Sequence, residues 1–432
     1  MSQRRSKLLA VVLAAGFVAT ACRGGEPEAG PDDGDDAEVQ TDVGVTSEPC
    51  PDAVNEDNGC IYLGTVSDLT AGPFAALAVP IVAAQEAFWQ RVNADGGIGG
   101  YDVNVTEYVR DNLYNPETHS QVYQEIKDEI LAMAQTLGSP TTAAVLGDMD
   151  SSDIVAAPAA WTSAYEFEDV ILESGTNYCF ESMNSVDWAV REFGAQSVMA
   201  VHYPGDYGGD AAGGAAAAAE ALGLEFTDVE TGQGEPNQAA AIQAVVTQNP
   251  DVVIITTGPA DAAAVVGQAA AAGYQGRFIG TSPTWNPALL ASPAAPALTA
   301  LYHQSGPWGP WATDTPGHQA MRDALGDFEP NDGATAGWVW SYPLKAALED
   351  AVENGDLTRA GLREAAQGLE EVDYEGMLPP EAGNYAGEPG EAVFRQSLIS
   401  RVDEAAPTGV SVQEDLFVSD VAADYDFTAP CF

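Results

Sequence analysis

Six short loops hold most of the residues able to do chemistry: "SDLTAGPF", "GDMDSSD", "ESGTNY", "HYPGDYGGD", "TTGPAD" and "GTSPTWNP". They are rich in hydroxyls, glycine and aromatics and poor in histidine and lysine. That composition suits holding a small molecule better than attacking one. The four histidines, His119, His202, His303 and His318, show no paired metal-ligand spacing, and the chain has no GxSxG nucleophile elbow. Asp148, Asp150 and Asp153 invite a calcium reading. The run lacks the glycine of an EF-hand loop, and Ala159 stands where the distal glutamate belongs, so a helix cap is the plainer reading. "PGDYGGDAAGGAA" is no GxGxxG, so no dinucleotide site, metal or other cofactor is expected. Among the aromatics, Trp285 follows a strand and is placed towards a cleft. Trp338, Trp340 and Tyr342 read as packing, and Trp308 and Trp311 as a rim or hinge.

These loops must be positioned by the elements between them. "CIYLGTVSDL" and "YDVNVTEYV" read as strands, and "PIVAAQEAFWQRVNADGG" as a helix stopped by Gly96 or Gly97. "NPETHSQVYQEIKDEILAMAQ" reads as one long helix, "TAAVLGD" as a short buried strand, "SDIVAAPAAWTSAYEF" as a helix and "DVILES" as a strand. The alternation resumes with strands in "SVMAVHY", "EFTDVE", "DVVIITT" and "RFIGTS", separated by alanine-rich helices. Apolar strands alternating with helices imply parallel sheets covered on both faces, and ligands in such sheets sit outside the carboxyl ends of the strands. The expected fold class is therefore α/β, with two Rossmann-like lobes and a ligand cleft between them.

The N-terminus has a basic head at Arg4, Arg5 and Lys7, then an apolar run from Leu8 to Ala21, then Cys22. Those 14 residues are fewer than the roughly 20 a bilayer-spanning helix needs, and the pattern fits a secretory signal. Small residues directly before Cys22, with a polar stretch after it, look like a bacterial lipobox, which implies cleavage before Cys22 and lipid on its sulfur. Five cysteines leave four once Cys22 has that separate role. An oxidising compartment tends to pair them. Three connectivities are open; the closeness of Cys50 and Cys60 favours a local loop, leaving Cys179 and Cys431 as the long-range pair. The formal net charge of −50 disfavours nucleic acid and anionic membrane surfaces as partners. Residues 1–21 read as the signal and 22–48 as a lipid-anchored acidic linker. The first lobe is expected over 49–183 and 306–371, and the second over 184–305 and 372–432 with the C-terminal tail.

The stretch from "IYLGTVSDLTAGPF" through "NADGGIGGYDVNV" resembles the opening of solute-binding proteins of the branched-chain amino acid and amide ABC importers. The likeness continues in order through "HYPGDYGGD" and "DVVIITTG" to "RFIGTS". It implies the type 1 periplasmic-binding fold, with two α/β lobes, three crossing segments and a ligand between them. Carried over by position, the family's carboxylate-binding serine falls on Ser151, with Ser152 beside it, at the start of a helix. A second carboxylate loop falls on Ser174 to Thr176, and the tyrosine near the amino group on Tyr207. Gly258 stands where the family has a ligand-facing tyrosine, and Ser282 where it has the glutamate that pairs with the ligand's ammonium. A buried ammonium without a counter-charge is costly. A branched-chain amino acid would then need Asp148, Asp150 or Glu173 in that role, whereas an amide or small carboxylate would need none.

The resemblance implies a monomeric, lipid-anchored receptor on the outer face of the cytoplasmic membrane. It would capture a small polar solute by two-lobe closure and pass it to an ABC permease, with Ser282 and Trp285 contributing from the second lobe. The same fold can serve as a sensor that signals to a partner protein. A secreted hydrolase using paired carboxylates is the remote reading from another class; no base, nucleophile or metal set in the chain supports it, and the chain is expected not to be an enzyme.

Overall fold

The computed structural model describes residues 39–432; the signal stretch, Cys22 and most of the acidic linker lie outside the described residues. Two sheets organise the chain. The first has five strands: Gly59–Ser67 lies between Tyr101–Asp111 on one side and Ala132–Leu137 on the other. Ala156–Ala159 continues beyond Ala132–Leu137, and Val45–Thr46 pairs antiparallel with Ile61 and Cys60. The second has seven strands in the order Val410–Phe417, Ser397–Val402, Tyr302–Gly306, Arg277–Gly280, Val252–Thr256, Ser197–His202, Glu225–Glu230. The strands from 197 to 306 run parallel, and the last two pair antiparallel. Val252–Thr256 is buried at every position, as expected of a strand covered on both faces.

The helix Ala75–Ala94 ends just before Gly96 and Gly97, both at positive φ, where glycine avoids the strain of a side chain. It buries Ala78, Ile81, Ala84, Phe88 and Trp89. Phe88 meets Trp338 at 5.1 Å and Tyr342 at 5.0 Å, edge to face, so the helix Asp332–Glu353 packs on the first lobe from far along the chain. Both cores therefore combine segments distant in sequence.

Between residues 127 and 172 the structure differs from the sequence reading by one element. The long helix read over 115–135 stops at Ile126, and Ala132–Leu137 is a fully buried strand. "TAAVLGD" is not a strand but part of the helix Ser139–Ser151. "SDIVAAPAAWTSAYEF" is not a helix; it holds the strand Ala156–Ala159 and a 3₁₀ turn at Ser163–Phe167. "DVILES" contributes only a bridge from Ile171 to Ala156. "AMAQTL" is made mostly of good helix formers, and burial in the middle of a parallel sheet overrides that preference. The local signal for the true helix start was Gly138-Ser139-Pro140, with proline in the first turn.

The chain passes to the second sheet before the helix Tyr178–Phe193, which packs on Asp206–Leu222. It returns after Gly306 and crosses again ahead of Ser397. Tyr374, Met377, Leu378 and Ala382 join the first-lobe core, so the segment just after 372 packs there. Cys50–Cys60 and Cys179–Cys431 are bonded, with Cα separations of 4.8 and 6.2 Å. The second bond ties the C-terminal tail to the start of the second lobe.

Candidate functional site

The carboxyl ends of both sheets face a cleft between the lobes, and its wall is mostly aromatic and aliphatic. Phe74 enters from the loop "SDLTAGPF". Asp68 holds that loop by accepting hydrogen bonds from the Gly72 N–H at 2.8 Å and the Phe74 N–H at 2.9 Å. A side chain at residue 72 would strike the Asp68 carboxylate, so the turn needs glycine. The Phe74 ring meets Tyr114 at 4.8 Å and, across the cleft, Tyr207 at 5.7 Å. From Tyr207 the aromatic wall continues through Tyr178 (4.9 Å), Trp161 (4.9 Å) and Trp308 (5.4 Å) to Trp340 (5.7 Å). Each ring is fixed by its neighbours, which preorganises the wall.

Polar groups are few in this wall and differ between the lobes. On the second lobe, the Tyr207 hydroxyl bonds the Thr257 carbonyl at 3.2 Å and lies 3.1 Å from the Thr281 hydroxyl. Ser282 donates to the Ser305 carbonyl at 3.2 Å, and the Gln304 amide leans on Ser282 at 3.4 Å. Behind them, Glu181 accepts from the Ser305 hydroxyl and, at 2.9 Å, from Trp161 Nε1. Burial pushes its carboxyl up to about 7, and those two donors oppose the rise. Trp285 stacks on Tyr302 and donates to the Thr408 carbonyl at 2.8 Å.

On the first lobe, Ser139 opens the helix Ser139–Ser151 beside Gly138, whose φ of 95° and contact with the Tyr114 ring leave no room for a side chain. The Ser139 hydroxyl is buried without a partner, as is Trp340 Nε1. Asp332 accepts the Trp311 N–H at 2.9 Å on one oxygen, while its Oδ2 is buried and unbonded. Among the described residues, Asp332 is the single charged side chain in the cleft wall.

The structure brings Tyr207, Ser282 and Trp285 to the cleft and leaves the other site residues expected from sequence outside it. Ser151 does not start a helix: it is the last residue of one, exposed, and donates to the Asp148 carbonyl. Ser152 caps the same end. The one-element offset described above is the cause, and the serine at the helix start is Ser139. Ser174 is buried, 3.5 Å from the Tyr374 hydroxyl, and Thr176 is buried with an unbonded hydroxyl; neither lines the cleft. At Gly258 a Cβ would come within 3.0 Å of the Tyr203 hydroxyl and 3.2 Å of Pro73, so any side chain there would have to displace these neighbours.

The acids considered as counter-charges are elsewhere too. Asp148 pairs with Lys127 at 3.0 Å, and Asp150 and Asp153 pair with Arg363. Glu173 is buried with both carboxylate oxygens unbonded, which holds its pKa well above the usual range, but it is not in the cleft wall. Sequence reasoning missed Ser139, Asp332 and Trp340. It took Trp340 as packing, although the ring also faces the cleft, and Trp308 proves to be cleft wall rather than outer rim.

Two α/β lobes joined by crossing segments, with a walled cleft between them, define a protein that captures a ligand by enclosing it. The chain belongs to the periplasmic binding protein family, whose model matches residues 61–403. Solved structures agree. A fatty acid ABC transporter substrate-binding protein from Thermomonospora curvata is 28% identical, with a TM-score of 0.82 over 90% of this chain and 98% of that one. An ABC transporter substrate-binding protein from Aeropyrum pernix (19% identity, TM-score 0.72, 84% and 98% covered) shares the fold. So does a branched-chain amino acid ABC transporter protein from Thermus thermophilus with bound valine (18%, 0.69, 84% and 98%). Among curated protein sequences none matches. This is a solute-binding protein of the ABC transporter type, and a small-molecule ligand and a membrane permease are the partners its family implies. Among the described residues no helix is long and apolar enough to cross a membrane.

Proposed function

We propose that this protein captures a small solute with an apolar body and presents it to its permease, tethered outside the cell by lipid on Cys22. The observation that carries the ligand class is the wall of Phe74, Tyr178, Trp161, Trp308, Trp340 and Leu398. Such a surface gains free energy by covering apolar area, roughly 25 cal/mol per Å² removed from water. A strongly polar solute would lose its hydration there and find few partners. The likeness to a fatty acid ABC transporter binding protein at 28% identity supports an apolar body.

Ser139 supports a polar end to that ligand. Its hydroxyl, buried at the start of the helix Ser139–Ser151 without a partner, is left to bond a polar group of the ligand. Lobe closure then follows from contacts made to both walls at once. The test is thermal unfolding of the mature protein with medium-chain alkyl and aromatic solutes beside serine, glutamine and glucose. A concentration-dependent rise in melting temperature confined to the apolar set is expected. A rise given only by the polar set would refute the ligand class. For the tether, metabolic labelling with a fatty acid should mark the protein and fail to mark the Cys22→Ser variant; label on both would refute it.

A further inference from the structure

Ser282 lines the cleft, and its hydroxyl is spent on the Ser305 carbonyl. Yet the cleft is not without charge. Asp332 stands at the first turn of the helix Asp332–Glu353 and lines the cleft near Gly333, Ala336 and Trp340. One carboxylate oxygen is engaged by the Trp311 N–H; the other, Oδ2, is buried without a well-formed hydrogen bond, and the Thr408 hydroxyl faces the carboxylate from the second lobe as a neutral donor that opposes the rise of its pKa. No lysine, arginine or histidine lines the cleft among the described residues.

A carboxylate in this position is out of balance. Removing it from water is costly, its donors, the Trp311 amide and the Thr408 hydroxyl, are neutral, and among the described residues no cation in the wall offsets the charge. Burial pushes its carboxyl up to about 6, still below neutral pH, so it faces the cleft as an anion. The helix N-terminus behind it and the Trp311 amide favour that charge. What would complete the site is a proton-donating cation, and the aromatic wall of the same cleft, Trp308 and Trp340 among it, suits one, since aromatic faces attract cations.

We infer that Asp332 is the specificity-determining residue of the cleft and that the ligand carries a protonated amine, which pairs with Asp332 Oδ2 while its apolar body lies on the aromatic wall. This rests on the apolar-solute reading and narrows it: an apolar acid would meet an anion here, whereas an apolar amine would meet its counter-charge.

Calorimetric titration at pH 7.5 with octylamine, octanamide and octanoate separates the cases, because the three share one alkyl body. Octylamine should bind the full-length mature protein at least about 30-fold more tightly than octanoate, the scale expected for a desolvated charge pair. In Asp332→Asn the advantage of octylamine over octanamide should shrink to about threefold or less, with octanamide binding retained as proof of a folded cleft. A second measurement needs no variant: in the wild type, octylamine affinity should fall below about pH 6 as Asp332 takes a proton, while octanamide affinity stays level. Octanoate binding as tightly as octylamine, or an octylamine affinity indifferent both to Asp332→Asn and to pH, would overturn the assignment and leave the apolar-solute reading standing. Failure of all three alkyl ligands to bind would overturn both.

Discussion

The two walls of the cleft are built on different terms. On the second lobe, the Tyr207 and Ser282 hydroxyls, the Gln304 amide and the Ser305 hydroxyl are all bonded within their own lobe. On the first, the Ser139 hydroxyl, Trp340 Nε1 and Asp332 Oδ2 have none. Each buried group left unpaired costs about 1–3 kcal/mol, a cost that a well-matched ligand removes. The second lobe is thus a finished surface, and the first is completed by the ligand. On the proposed function, recognition of the ligand's polar groups would fall to the first lobe, while the second would contribute shape and apolar cover.

Variants can break this comparison. The largest effect concerns the second lobe's integrity. The Cys179–Cys431 bond closes a loop of 252 residues, and its loss (Cys431→Ser) should cost about 5 kcal/mol on the chain-entropy scale. Loss of Cys50–Cys60, spanning 10, should cost about 3 kcal/mol. Denaturant unfolding under oxidising conditions checks both; equal costs would show that loop length does not govern the difference.

Next come the wall groups themselves. Ser139→Ala should weaken ligand binding about 5–10-fold while leaving the unliganded protein as stable or slightly more so, because an unsatisfied hydroxyl disappears. Ser282→Ala should do the reverse, costing about 1 kcal/mol of stability through its lost bond to Ser305 and changing affinity less than threefold. If the two variants behave alike, the asymmetry between the lobes is not functional. Trp340→Phe keeps most of the ring but removes the free N–H. An affinity loss below twofold would mean that this donor makes no ligand contact.

The smallest effect is in pH. Glu166, Glu181 and Asp210 are pushed up to about 7 by burial. A carboxyl raised in the folded state binds more protons there than when unfolded, so it lowers stability as pH rises through its folded pKa. His119, His303 and His318, depressed to about 4 by burial, oppose this only below their unfolded value near 6.5. The melting temperature should therefore fall between pH 6.5 and 8, and Glu181→Gln should flatten that slope. A slope unchanged in the variant would mean Glu181 does not titrate in that window.

Legibility in the sequence followed the same division. "SVMAVHY" and "RFIGTS" are short apolar runs ended by small or turn-forming residues, so the strands before Tyr207, Ser282 and Trp285 were readable, and those residues lie in the cleft. The first-lobe wall was not readable in the same way. "AMAQTL" carries helix-forming residues into a central strand, which put the serine expected at a helix start at Ser151 rather than Ser139. Asp332 and Trp340 reach the cleft only because their helix packs back onto Ala75–Ala94 through Phe88, a contact between segments about 250 residues apart that no local pattern encodes. Cysteine pairing, by contrast, follows the connectivity that the spacing favoured among the three left open once Cys22 is set aside.

Titration of tryptophan fluorescence addresses the central claim most directly, because Trp161, Trp308 and Trp340 all line the cleft. A saturable one-to-one change with an apolar alkyl or aromatic solute, much weakened in Ser139→Ala and retained in Ser282→Ala, is the predicted result. Saturable binding of a fully polar solute with no response to any apolar one, or equal losses in the two variants, would contradict it.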